Sequence, residues 1–424
     1  MTGAAGDQHS AVQVAELPPF NTPEYFADPY TTLTRIRDVG PVLRIESPPH
    51  WFVTGYVPGE QVLRHPAALA EGFARRQRAI RSRYGDRFDP LIEVVRLQMV
   101  LMNAPDHPRV RRALQAVFTP RAIEDQRHSI REVVRRLLDD AGEDLDLIRD
   151  LASPLPAIVI ATLLGVPEED RPRFVRWSNE LVAFVGTTRS DADHLATVQA
   201  DMLAWGDYFG ELASKERGGT TVLARLLALT ESDQLSWPEL VSNAIFLMAA
   251  GHETTTNLIG NGALALSQAP EQWVRLRADP GLLSGAVEEF LRFDPPVQFS
   301  WRIAGSAIEL NGVTIPAGDM INVSIGAANR DPARFTNPDR LDVERPGHDH
   351  LAFAQGAHYC LGAALARLEG YEAFAALIER FDRLQVSGPT EFRPNPTFRG
   401  LASLPLATTR AHSGDAAHES IRNH

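Results

Sequence analysis

Cysteine occurs once in the 424 residues, at Cys360, so no disulfide can close within the chain and a disulfide-stapled fold is excluded. Lysine is as scarce: Lys215 stands alone, and arginine supplies nearly all of the 42 basic residues. Acidic residues number 54, and the formal net charge of −12 argues against nucleic acid as a partner, because a polyanion needs a basic footprint. Long apolar runs are missing too, and none approaches the ~20 residues that span a bilayer. The first twenty residues lack the basic start and apolar stretch of a secretory signal. These absences predict a cytoplasmic protein that neither enters the membrane nor binds nucleic acid, and a monomer is the expected state. What the chain does have is apolar mass, 44% of its residues, enough for a large buried core.

Residues 1–20 and 412–424 show no apolar periodicity and are expected to be disordered tails flanking one large domain, 21–411. Tyr30, Leu33 and Ile36 recur at helical spacing. Val42–Ile45 and Trp51–Thr54 form a strand pair turned at Ser47-Pro48-Pro49, and further strand-like runs lie at Ile308–Leu310 and Met320–Val323. Residues 71–103, rich in arginine and without a clean period, are expected to be a loop holding a short helix. Helical patterns dominate from Pro108: Arg121–Asp139, Ser153–Leu164, segments broken at Gly186-Thr187-Thr188 and Gly218-Gly219, Gly285–Phe293 and Gly362–Arg380. The longest helix should run from Ser236 to about Ser267, opened by a Ser236/Glu239 capping box with Pro238 in its first turn. Its middle, Ala244–Ala250, is apolar all round and should cross the interior. The fold class is therefore mainly α with a small β region.

The segment Phe353-Ala354-Gln355-Gly356-Ala357-His358-Tyr359-Cys360-Leu361-Gly362 carries the most chemistry. A lone cysteine is usually an inert core residue. Here it directly precedes a strong helix former, and the free amides and positive dipole end of that helix would stabilise a thiolate. A thiolate so placed can ligate iron and push electron density onto it. The segment resembles the haem-binding signature of the cytochrome P-450 superfamily, Phe-Gly-x-Gly-x-His-x-Cys-x-Gly, and departs from it only at Ala354, where the family has glycine.

Three more motifs extend the resemblance over residues 25–410. Ala250-Gly251-His252-Glu253-Thr254-Thr255 places a carboxylate and hydroxyls inside the apolar helix, where they are costly unless satisfied or used. A threonine there can bond the carbonyl one turn back, and a widened turn is expected. Glu289-x-x-Arg292 shares one helix face. Asp106-His107-Pro108-Arg109-Val110-Arg111 puts His107 and Arg111 four apart on another. The resemblance implies the P-450 fold, a single domain with a long helix over the haem, and b-type haem (iron protoporphyrin IX). Cys360 would be the metal ligand. His107, Arg111, Arg302 and His358 would hold the propionates, and Phe353, Gly356, Gly362 and Ala250 would line the ring. Glu253 and Thr254 would relay protons, and Glu289, Arg292 and Arg340 would form a structural lock.

The implied activity is monooxygenation: hydroxylation or epoxidation of a medium-to-large hydrophobic compound, in secondary metabolism, with O₂ and electrons from NAD(P)H. With the whole chain consumed by the oxygenase, a separate ferredoxin and ferredoxin reductase are expected, docking around Arg111, Arg112 and Arg367. The resemblance places Phe246, Leu247, Val297, Phe299 and Leu401 in the substrate pocket. The arginines at 75, 76, 78, 81 and 83 are either a solvated surface or a contact for an acidic substrate or an acidic carrier protein presenting one. Two other functions fit the same residues: oxidative coupling without oxygen insertion, and a haem-binding sensor without turnover.

Overall fold

The computed structural model describes residues 13–410 apart from 71, 142–144, 187–188, 217–220, 232–233 and 348. The expected C-terminal tail, the first twelve residues, and the breaks at Thr187-Thr188 and Gly218-Gly219 lie outside the described residues.

Helices build most of the molecule around one axis. The central helix, Trp237–Gln268, starts at the expected capping box: Ser236 accepts from the Glu239 amide, and Glu239 returns a bond to the Ser236 amide at 2.9 Å. It runs without interruption, so the widened turn expected near Gly251 does not break it. Around it pack Pro154–Leu163, Arg171–Gly186, Leu283–Phe293 and Ala363–Arg380, joined in one large apolar core. Arg127–Asp140 packs on Ala363–Arg380, where Arg127 and Arg131 both reach the buried Glu372, at 2.6 and 2.8 Å.

A six-stranded sheet lies to one side, in the order Val14–Ala15, Val42–Glu46, Pro49–Val53, Met320–Ser324, Phe299–Ala304, Ala68–Leu69. The first of these strands corrects the N-terminal tail: Val14 and Ala15 pair in parallel with Arg44 and Ile45, and Phe20 stacks on Phe299 at 5.5 Å. Apolar side chains at Leu17 and Phe20 are enough to hold this short stretch despite its lack of period.

The arginine-rich stretch is also corrected. It forms helices Gly72–Tyr84 and Asp89–Arg96, followed by a single turn at Met99–Leu101. Its apolar period is masked because Arg76 takes a place on the inner face, 3.9 Å over the Phe184 ring. Arginine is a good helix former, so charge alone does not argue for a loop.

One buried acid is left over from this packing. Glu369, on Ala363–Arg380, meets Thr255 of the central helix, and burial pushes its carboxyl up to about 8. The folded chain therefore keeps a proton that the unfolded chain loses near its ordinary value of 4.5. Stability should fall as pH rises between those limits and level off above. Glu369→Gln is expected to flatten this slope and raise the thermal midpoint at pH 8 more than at pH 5. Parallel wild-type and variant profiles across that range would contradict the assignment.

Candidate haem site

The cysteine segment is shaped by its backbone. Gly356 has φ +69°, and a Cβ there would sit 2.9 Å from the Leu63 carbonyl oxygen and 3.0 Å from the Arg64 Cα, so glycine is required twice over. Ala354 also has a positive φ, +55°, at the position where the related signature has glycine. An L residue held there is strained by roughly 1–2 kcal/mol. Ala354→Gly should therefore raise stability by about 0.5 kcal/mol, against the usual loss for such a change. Chemical denaturation checks it, and a clear destabilisation would show that the strain is absent.

The chain then turns through Gly356–His358 and closes with the Cys360 amide donating to the Phe353 carbonyl at 2.9 Å. The helix Ala363–Arg380 begins with no side-chain cap, which leaves its first amides for other acceptors. The Gly362 amide uses this freedom and points at the Cys360 sulfur. Burial pushes the thiol up, while that amide and the charges of Arg111 and Arg367 pull it down. At Gly362 itself a Cβ would meet no protein atom within 4 Å, so packing against protein does not explain the glycine.

Beside the cysteine, four donors converge without an acid. The His107 and His358 rings lie 4.2 Å apart, and His358 is pushed down to about 3 by burial and then by Arg302, His107 and Arg111. Arg302 is 7% exposed and pushed down to about 10 by burial; among the described residues it donates only to Ser300 Oγ and the Trp301 carbonyl, at 2.9 and 2.8 Å. Arg111 donates to the Tyr359 carbonyl at 2.7 Å. Among the described residues, buried His107 Nε2 has no hydrogen-bond partner. Among the described residues no carboxylate pairs with any of the four. Gathering this much buried donor and cationic character is costly unless an anion joins it. The two carboxylates of a haem fit that need.

The central helix supplies the opposite wall. From Glu239 to Leu266 every residue is buried except Phe246, Ala250, Gly251 and Thr254, a single stripe at helical spacing. Thr254 Oγ1 donates to the Ala250 carbonyl at 2.7 Å, the bond one turn back that was expected. Glu253 points elsewhere. It is 3% exposed and is clamped by Arg393, 2.8 Å from Oε2, and by Asn257, whose amide donates to Oε1 at 3.1 Å. Arg393 also donates to Asn257 Oδ1 at 3.0 Å, closing a three-residue ring. Sequence reasoning missed Arg393 because it lies 140 residues away, in a segment with no motif.

Several expectations need correction. The lock exists, but Arg340 does not take part through its side chain. Glu289 is bound by Arg292 at 2.6 and 2.8 Å and by Arg345 at 3.0 Å, all three nearly without exposure, while the exposed Arg340 lends only its carbonyl. Arg345 lies five residues further on, where the Asp342 amide also reaches Glu289, at 3.0 Å. Phe299 lies in a separate aromatic cluster with Phe20 and Phe52, on the strand face opposite Arg302, because neighbouring strand positions of unlike parity face apart. Leu401 is fully buried near Gly260, ten residues along the helix from Ala250 and roughly 15 Å away at 1.5 Å per residue. Leu247 is nearly buried beside the stripe, and half-buried Val297 bridges to Phe398. Arg367 is committed to Glu288 at 2.6 and 2.9 Å, so it is not a free docking charge.

The sequence pattern of the cytochrome P450 family matches residues 277–407, which include the lock and the cysteine segment. The biotin biosynthesis cytochrome P450 of Bacillus subtilis is 37% identical over 394 residues, 90% of this chain and 97% of that one. The chain is a cytochrome P450. The P450 monooxygenase PikC of Streptomyces venezuelae is 38% identical to it, covering 91% of this P450 and 92% of that enzyme. Among solved structures, P450BioI in complex with an acyl carrier protein ligated to hexadec-9Z-enoic acid superposes with a TM-score of 0.84. That structure shares 35% identity and covers 91% of this P450 and all of its own chain. This P450 is a monooxygenase, and the helical body with its small sheets is the family's fold. Among the described residues no helix is long and apolar enough to cross a membrane.

Proposed function

We propose that Cys360 is the thiolate ligand of a b-type haem in an enzyme that hydroxylates or epoxidises a medium-to-large hydrophobic molecule of secondary metabolism. The observation that carries this reading is the convergence of His107, Arg111, Arg302 and His358, without a protein carboxylate, beside a cysteine that faces the Gly362 amide. When bound, the haem supplies reductive activation of O₂ and transfer of one oxygen atom to a C–H or C=C bond, with two electrons and two protons consumed. The protein does the rest. The four donors would take the two propionates and so orient the ring. Phe353 and Gly356 shape the cysteine side, and Ala250 leaves room on the other.

Thr254 sits on the open stripe with a hydroxyl that can pass a proton outward from its bond to Ala250. Glu253 is its proton source only after leaving the clamp of Arg393 and Asn257 and taking up a proton, so the two partners hold the carboxylate away from the stripe until it turns. Electrons come from NAD(P)H through a ferredoxin reductase and a ferredoxin, docking near Arg111 and the exposed Arg112. A single unpaired cysteine supports a cytoplasmic location.

Arg393→Leu is expected to reduce product formed per NAD(P)H consumed by about tenfold, less than the roughly 10²–10⁴ a proton donor itself contributes. Arg393→Lys should restore part of it. Unchanged coupling in both variants would remove Arg393 from the relay. The function is tested by reconstituting the protein with ferredoxin, reductase, NAD(P)H and O₂, using hydrophobic compounds chosen by haem spectral shift. Products should gain one oxygen atom; loss of two hydrogens instead would mean coupling chemistry, and electron use without any organic product would mean neither.

A further inference from the structure

Helix Gly72–Tyr84 carries five arginines and no acidic residue, in a chain whose net charge is −12. The five do different things. Arg76 is turned inward, stacked on Phe184, bonded to Ser190 Oγ at 3.2 Å and to the Phe184 and Arg189 carbonyls. Arg81 is spent on Asp89 at 2.8 Å. Arg75, Arg78 and Arg83 are exposed, and so is Arg87 just beyond the helix; among the described residues none of these four has a carboxylate partner. Other arginines are paired with acids, as Arg44, Arg96, Arg109 and Arg127 show.

The place of this helix matters as much as its charge. Gly72 lies against Trp301, where a Cβ would come within 3.1 Å, and Trp301 neighbours Arg302 of the candidate haem site. Phe73 meets Phe184 edge-on at 6.0 Å, at the far end of Arg171–Gly186. The helix thus spans from the strand that carries Arg302 to the end of a core helix, with Phe73, Arg76 and Ile80 turned inward and Arg75, Arg78 and Arg83 exposed. Arg76 ties it down there, so the outer arginines are presented on a fixed support.

We propose that the Arg75, Arg78 and Arg83 face is a docking surface for an acidic acyl carrier protein, which delivers a hydrophobic acyl chain as a thioester to the site beneath. The inference rests on the monooxygenase reading above and names how that site receives its substrate. Charge complementarity favours a folded acidic partner: exposed arginines without a carboxylate partner, spaced along about 12 Å of helix at 1.5 Å per residue, exceed what one small carboxylate can engage. The solved relative bound to an acyl-loaded carrier shows that the fold accepts such a partner. Rim charges of this kind set association and salt dependence more than the packing of the complex.

The test uses haem-loaded enzyme, an acyl carrier protein bearing a hexadecanoyl thioester, the same carrier with phosphopantetheine alone, and free hexadecanoic acid. Calorimetry on wild type and the triple variant R75E/R78E/R83E should show both carrier forms binding wild type, more weakly as salt rises. The variant should bind either form at least about tenfold more weakly. Free hexadecanoic acid should shift the haem spectrum of both proteins alike, and ferredoxin-driven reduction should be unchanged. A triple-lysine variant should bind the carrier as wild type does. Three outcomes would overturn the proposal: no carrier binding to wild type, equal binding to the charge-reversed variant, or an equal loss for the free acid. A matching loss of ferredoxin-driven reduction would assign the face to the electron donor instead. Failure of the monooxygenase reading is seen separately, as the absence of a thiolate-type spectrum in wild type.

Discussion

Cys360→Ser is expected to abolish product formation to background while leaving the fold in place. The cysteine amide would still close on the Phe353 carbonyl, and the Gly362 amide would still face the side chain. A serine oxygen fits the same space but remains a neutral hydroxyl, since neither one amide nor the charges of Arg111 and Arg367 can bring an alcohol near neutral pH. The variant should retain the wild-type far-ultraviolet circular dichroism and bind haem weakly through the four donors alone. Its reduced carbonyl adduct should lose the thiolate signature completely. If the variant kept that signature, or kept measurable turnover with ferredoxin and reductase, Cys360 would not be the ligand. His107→Ala combined with Arg302→Ala should produce the complementary phenotype, a thiolate signature at much reduced haem occupancy.

Glu289→Gln should be the most destabilising single change of a charged residue outside the haem site. The carboxylate accepts two bonds from Arg292, two from Arg345 and one from the Asp342 amide, all in a region with almost no exposure. Removing its charge leaves two guanidinium groups buried without a counter-ion, a loss of about 3–5 kcal/mol for a broken buried pair. Arg345→Ala should also be severe, whereas Arg340→Ala should fall within about 0.5 kcal/mol of wild type, as surface changes do. Urea unfolding of the three variants decides between them. Arg340→Ala matching Arg345→Ala would restore the assignment that the spacing of the motif first suggested.

The lock shows where reading the chain as a string succeeds and where it stops. Glu289 and Arg292 lie three apart on one helix, so their pairing follows from helix geometry alone. The third member sits in an irregular segment, Asp331–Pro346, where no period says which of two arginines turns inward. The same contrast runs through the site. Ser236, Pro238 and Glu239 announce the central helix because capping is local chemistry, and Thr254 reaches Ala250 because both lie on adjacent turns. Arg393 depends on a hairpin folding back across the helix, and no local pattern encodes that. The helix at Gly72–Tyr84 was hidden for a different reason. Its inner face is closed by the guanidinium of Arg76 stacked on Phe184, so a reading that counts only apolar residues finds no stripe. Phe299 was misplaced because a strand offers two faces, and its neighbour Arg302 belongs to the other one.

The most direct measurement is the absorption spectrum of the purified, haem-loaded protein after reduction under carbon monoxide. Ligation by the Cys360 sulfur predicts the strongly red-shifted Soret band of a thiolate-bound haem, present in wild type and absent from Cys360→Ser. A freshly prepared wild-type protein that instead absorbs as a histidine-ligated haem does, or that takes up no haem at all, would contradict the account.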